Sequence, residues 1–182
     1  MKQRRFSSLK RPSNHVGEGN LPSNKEIMRI SPNFTLNELT KSSTAMRLDI
    51  DNTPSMEHLV AMTALCHKIA QPIRDEFGVV TVNSCYRSPD LNKAVKGSGK
   101  SQHCKGQAID LEVMRTPNDE LAAWIFHNLE FDQLILEYFD PKAGDPNMGW
   151  VHVSFNHEAS EQRKNSMLIN KNSNGYQPWE PN

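Results

Sequence analysis

No apolar run in this 182-residue chain approaches the roughly 20 residues that a membrane-spanning helix needs, so no helical span is expected. Cysteine is scarce. Cys66, Cys85 and Cys104 make an odd count without the spacing of a disulfide framework, which suits a chain folded in a reducing cytosol. Net charge is lacking as well: 21 Lys and Arg balance 21 Asp and Glu, so the chain as a whole does not announce a nucleic-acid binder. There is no internal repeat. Bulk hydrophobicity is modest, at 36% hydrophobic residues and a mean hydropathy of −0.66. Much of the chain is therefore surface or tail, leaving a folded core of roughly 120–130 residues, an ordinary small domain.

The zero balance conceals an uneven one. Residues 1–30 carry seven Lys and Arg against Glu18 and Glu26, which leaves about −5 on the remainder. This stretch has no apolar periodicity and is rich in Ser, Asn, Gly and Pro, so it reads as a disordered or extended basic arm. Such an arm is solvated, with contact to an anionic partner such as nucleic acid or a cell-wall polymer as the other use for it. Arg4-Arg5 is superficially like a twin-arginine export signal, but residues 11–26 are polar and supply no apolar segment, so no signal peptide is expected.

Structure is expected from Phe34, where Thr35 and Glu38 fit a capping box for a short helix carrying Leu36 and Leu39. The clearest helix follows. Thr53 is its expected cap, Pro54 suits its first position, and Leu59, Met62, Cys66, Ile69, Ile73 and Phe77 form one apolar stripe. Pro72 should kink this helix and Gly78 should end it. Residues 79–82 read as a strand, Ser88-Pro89 opens a short helix, and residues 97–101 read as a flexible loop. Residues 107–113 alternate, with Ala108, Asp110 and Glu112 on one face and Ile109, Leu111 and Val113 on the other. Thr116-Pro117 opens a further helix, and strands near 133–139 and 149–155 form a final hairpin. The expected fold class is α+β: one small domain over residues 31–158, with a central antiparallel sheet flanked by helices. Residues 159–182 read as a peripheral polar tail from which Tyr176 and Trp179 dock back.

Two segments carry chemistry. His103 sits where a loop feeds the strand that bears Asp110, with Gly106 between them for a tight turn. His152 lies between Val151 and Val153, on the face shared with Trp150 and Ser154. Two imidazoles and a carboxylate, with a fourth position left to water, are the ligand set of a catalytic zinc site. A hairpin loop centred near residues 144–145 puts position 137 opposite 152, which brings Glu137 beside a candidate ligand. That register is sensitive, because a slip of one residue reverses the face. Taken singly, each residue has an ordinary reading as a cap, a half-exposed histidine or a solvated acid. Cys104 ranks below Asp110 as a ligand, and Glu112, which shares the parity of Asp110, is the rival to Glu137 as catalytic carboxylate.

The run Ser84-Cys85-Tyr86-Arg87-Ser88, then Ser101-Gln102-His103, Gly106-Gln107-Ala108-Ile109-Asp110 and Trp150-Val151-His152-Val153-Ser154-Phe155 resembles the M15 family of zinc D-Ala-D-Ala carboxypeptidases, in the branch found in phages and prophages. Phe34 to Leu39, Asp51 to Pro54 and Gln71 to Arg74 resemble it too, so the likeness spans roughly residues 33–156. The resemblance implies the fold shared with the hedgehog signalling domain. It also implies one zinc per chain held by His103, Asp110 and His152. The family arginine that grips a substrate carboxylate or polarises the scissile carbonyl falls on Arg87. In many relatives the catalytic Glu stands three residues before the last zinc His, a place held here by Gly149. The phage-type branch sets a Glu in the preceding strand instead, which is Glu137. Ser101, Tyr86 and Trp150 are the expected cleft residues beside Arg87.

The implied activity is hydrolysis of stem peptides of bacterial peptidoglycan by an endolysin or a virion-associated lysin, with D,D-carboxypeptidase and L,D-endopeptidase types both open. Such a protein is made in the cytoplasm of a bacterial host and acts on the wall after release, or rides in a virion beside other virion proteins. The competing reading is a zinc-bearing structural or binding module of a virion without catalysis. Glu137 and Arg87 favour the enzyme, whereas Gly149 favours the alternative. A host enzyme trimming its own wall precursors is disfavoured by the missing export signal.

Overall fold

The computed structural model describes residues 28–140, 142, 144–170 and 175–181. Most of the basic arm therefore lies outside the described residues. Its expected boundary moves, because Arg29–Ser31 form strand β1, which pairs with β2 (Phe34–Thr35), and Ile30 is buried. Helix α1 (Leu36–Thr40) starts as expected, with the Thr35 hydroxyl accepting from the Glu38 N–H at 3.3 Å. Helix α2 (Ser43–Leu48) follows, capped by Ser42.

The apolar stripe folds as three pieces. Helix α3 (Met56–Leu65) is capped by Ser55, whose hydroxyl accepts from His58 N–H, rather than by Thr53. Thr53 instead donates its N–H to the Asp51 carboxylate, in the turn that precedes the helix. A wide π-helical turn, Cys66–Ala70, joins α3 to α4 (Gln71–Phe77), with Pro72 in the first turn of α4. Pro72 has no N–H to give to the preceding turn, and the widened turn accommodates the loss, which is the physical form the expected kink takes. Gly78 ends α4 with a φ of +83°. Met62, Leu65, Cys66, Ile69 and Ile73 are fully buried.

The main sheet has six strands in the order β3-β4-β6-β5-β7-β8. They span Val80–Ser84, Ala108–Val113, Trp150–Ser154, Gln133–Glu137, Asn165–Ile169 and Gln177–Pro178 respectively. All neighbours are antiparallel except β5 and β7, so the sheet is mixed rather than wholly antiparallel. The tail expected to be peripheral thus supplies two strands, and Leu168 and Trp179 pack against the core. Helix α5 (Pro89–Ala94) is capped by Ser88, and α6 (Asn118–Asn128) covers the sheet through Leu121, Ala122 and Ile125. Pro117 offers no side-chain cap to α6. Its N-terminus is held by the β5–β6 loop, where Asn118 donates its N–H to Pro146 O and its amide to Met148 O and Gly149 O. The domain is α+β, as its pattern of helices and strands implied.

Candidate active site

Strand parity places the polar face of the sheet under an open cleft of about 1240 Å³. Along β4, Ile109 and Leu111 enter the core while Asp110 turns to the cleft. On β6, Val151 and Val153 enter the core and His152 turns the same way, directly opposite Asp110 in the ladder. His103 comes from a single 3₁₀ turn, Gln102–Lys105, which Gly106 closes with a φ of +68°. A Cβ at Gly106 would stand 2.6 Å from the His58 carbonyl, so the turn needs glycine for space as well as for its dihedral.

The three side chains converge. His152 Nδ1 lies 2.8 Å from Asp110 Oδ1, and His103 Nε2 lies 3.2 Å from both atoms. His103 Nδ1 is 2.6 Å from the Cys85 carbonyl, which can only accept, so Nδ1 carries the proton and Nε2 presents a lone pair to the carboxylate. Two acceptors facing each other at 3.2 Å, both buried, call for a cation between them. Burial pushes the His103 pKa down, so the imidazole resists supplying that charge by protonation. A metal ion fits these donors, since four-coordinate zinc with bonds of about 2.0–2.1 Å sets its ligand atoms roughly 3.3 Å apart. The Cys85 carbonyl is the outer acceptor that fixes the tautomer of a ligating imidazole.

Asp110 divides its two oxygens. Oδ1 faces the imidazoles, and Oδ2 accepts from Arg87 Nη2 at 2.6 Å. Burial alone would raise this carboxyl, but its two imidazole neighbours, His103 first and then His152, outweigh burial and hold Asp110 well below the usual carboxylate range. Arg87 Nε donates to the Ser84 hydroxyl at 2.7 Å, so two contacts lock the guanidinium beside the ligand carboxylate. Replacing one neighbour of a ligand typically costs 10–100-fold in metal affinity or activity. Arg87→Lys, which loses the planar fork, is expected to fall in that range when kcat/KM and zinc affinity are measured together.

Glu137 reaches the cleft by a register other than the expected one. His152 pairs with Ile135, and Glu137 pairs with Trp150. The displacement is two residues, an even number, so Glu137 keeps the face of His152. It lines the cleft with the three converging residues. Burial, then the nearby Asp110 charge, pushes its carboxyl upward, partly offset by His152 and Arg87. Glu112 lies outside the cleft lining and accepts from the Asn83 amide at 2.7 Å. Ser101 and Trp150 line the cleft, and Trp150 packs its ring against Tyr138 at 5.1 Å. Tyr86 touches the cleft but is 5% exposed, its hydroxyl 3.2 Å from His58 Nδ1, so packing is its main role. Cys104 does not join the donor triangle.

Gly149, three residues before His152, has no room for a carboxylate side chain. Its φ is +77°, and a Cβ there would stand 1.9 Å from the Glu137 carbonyl. No side chain fits unless the hairpin moves. Gly149→Ala should therefore destabilise the domain by more than about 2 kcal/mol in denaturant unfolding, the sum of an unfavourable dihedral and a backbone clash.

Sequence reasoning missed the Asp132 cluster. Asp132, 3% exposed, accepts from Arg163 Nε and Nη2 and from the Gln102 amide. It ties the start of β7 to the turn that carries His103. Arg163 lies in a stretch of Asn, Ser and Lys, with no local signal to separate it from a solvated tail.

No curated protein matches the chain. The family described as Peptidase M15 matches residues 32–141, a span that takes in Arg87, His103, Asp110 and Glu137 and stops short of His152, which the sheet adds. With that match covering more than half of its length, the chain belongs to the M15 peptidase family, a family of metallopeptidases.

Proposed function

We propose that this protein is a zinc-dependent peptidase that hydrolyses peptide bonds in the stem peptides of bacterial peptidoglycan, as a phage endolysin or a virion-associated lysin. The observation that carries the reading is the buried convergence of His103 Nε2, Asp110 Oδ1 and His152 Nδ1 beside a carboxylate with a raised pKa. His103, Asp110 and His152 would hold one zinc ion per chain, which would supply Lewis acidity for polarising a carbonyl and activating water. Glu137 takes the water proton and returns it to the departing amine, a role its raised pKa suits. Arg87 holds Asp110 in its orientation with one nitrogen. Its Nη1, which has no hydrogen-bond partner among the described residues, is left for a substrate carboxylate. Among the described residues no helix is long and apolar enough to cross a membrane.

The test is digestion of purified peptidoglycan by the zinc-loaded protein, with mass analysis of the fragments. Release of peptide fragments with intact glycan supports the reading. An unchanged sacculus, from protein that holds zinc, would favour a binding module instead.

A further inference from the structure

His103 differs from the other two converging residues in what carries it. Asp110 lies on β4, between β3 and β6, and His152 lies on β6, between β4 and β5, so ladders on both sides fix each of them. His103 rides on one 3₁₀ turn of four residues, an element whose own hydrogen bonds have poor geometry. A metal centre needs its ligands placed within about 0.5 Å, so the turn has to be held from outside.

Two tethers hold it. From the chain just after β3, Arg87 N–H donates to the His103 carbonyl at 3.2 Å, and the Cys85 carbonyl accepts from His103 Nδ1 at 2.6 Å. From the chain just before β5, the hold passes through Gln102. The Gln102 carbonyl accepts from Gln107 N–H at 3.0 Å, and its side-chain amide donates to Asp132 Oδ2 at 2.9 Å.

Asp132 is immobilised in turn. Its N–H donates to Ser154 O at 2.8 Å, and its carbonyl accepts from Asn165 N–H at 3.1 Å. Arg163 brings three donors to the buried carboxylate: its backbone N–H at 3.3 Å and Nε at 2.9 Å on Oδ1, and Nη2 on Oδ2. With Gln102 as the fourth donor, the acceptor sites of a carboxylate are filled. The Arg163 hydrogen bonds hold this carboxyl below its usual range against the effect of burial, so the acceptor is charged near neutral pH and its bonds are strong ones.

Resting on the metal site proposed above, we infer that Asp132 is a positioning residue of that site: anchored by Arg163, it holds Gln102 and so sets where His103 presents Nε2. Asp132 acts through Gln102 and touches none of the three ligands. The segment leading into β7, which supplies Arg163, is thereby coupled to metal affinity from outside the ligand set.

The experiment loads the full chain with cobalt(II) and withdraws the metal with a competing chelator. The visible absorption of the ion, which reports the arrangement of its ligands, follows the loss. Wild type is compared with Gln102→Leu, Arg163→Lys and the double variant. Gln102→Leu removes one donor and keeps the Asp132–Arg163 pair, so the fold should survive by circular dichroism. Arg163→Lys keeps the charge and loses the planar fork. Each should weaken cobalt binding about two- to tenfold, the scale of one hydrogen bond, and shift the absorption. Because both act through Asp132, the double variant should lose less than the product of the two single losses. Lys164→Gln removes the exposed Lys164–Glu130 pair next in sequence to Arg163, and as the control it should bind cobalt as wild type does. Equal affinity in wild type and Gln102→Leu, or single losses that multiply in full in the double variant, would overturn the positioning role and leave the peptidase reading standing. Wild type that binds no cobalt, or binds it undiminished after His152→Ala, would remove the metal site and this inference with it.

Discussion

Glu137→Gln is expected to keep its zinc and its fold while losing about 10²-fold or more in kcat, because the amide is close to isosteric but cannot take up a proton. The same substitution should stabilise the metal-free protein near neutral pH. The sign follows from the raised carboxyl of Glu137. When the folded pKa exceeds the unfolded one, ionisation favours unfolding, and the cost is fully present above the folded pKa and absent below the unfolded one. Gln removes that cost, so the gain in Tm should shrink as pH falls through the carboxylate range. Loss of activity together with gain of stability separates a catalytic carboxylate from a structural one. Glu112→Gln supplies the contrast, since Glu112 is bonded to Asn83 outside the cleft and its replacement should be mild on both readouts. Full activity in Glu137→Gln would remove the residue from the reaction.

His152→Ala should cost zinc affinity by on the order of 10²-fold or more, and activity with it. Zinc sites in small proteins are worth about 10–16 kcal/mol, so one ligand of four carries roughly 3 kcal/mol. Three protein ligands are proposed, which leaves two after the substitution. The fold should survive, because Val151 and Val153 carry the burial of β6 and Asp110 keeps Arg87 as its partner. Elemental analysis after dialysis against a weak chelator, with circular dichroism alongside, reads both effects. Retention of one zinc per chain would show that the metal lies elsewhere.

The motifs were legible because they are local. Val151-His152-Val153 declares its face by alternation, and so does Ile109-Asp110-Leu111, with Gly106 marking the turn that brings His103 in. The ladder then sets Asp110 opposite His152. The offset of Glu137 was not legible. The β5–β6 connection is long, and its geometry depends on Gly149 adopting a positive φ against the Glu137 carbonyl and on Asn118 gripping the loop from α6. The face nonetheless came out right, because the slip is even. The helix cap also moved: Thr53 and Ser55 both have capping chemistry, but the helix starts at Met56, so the Ser55 hydroxyl is the one that meets His58 N–H while Thr53 lies in the turn held by Asp51. Strands β7 and β8 were hidden by composition. Their sequences, Asn165 to Ile169 and Gln177-Pro178, offer little alternation, and pairing with β5 supplies what local propensity does not. The Cys85 carbonyl was silent because backbone atoms leave no trace in residue type.

The central claim is that one zinc, held by His103, Asp110 and His152, drives peptide hydrolysis in this cleft. The most direct measurement titrates metal-free protein with zinc while following cleavage of a peptidoglycan stem peptide. The account predicts no activity without metal, and a linear rise that saturates at one zinc per chain. Undiminished cleavage by the metal-free protein, or saturation at any other stoichiometry, would contradict it.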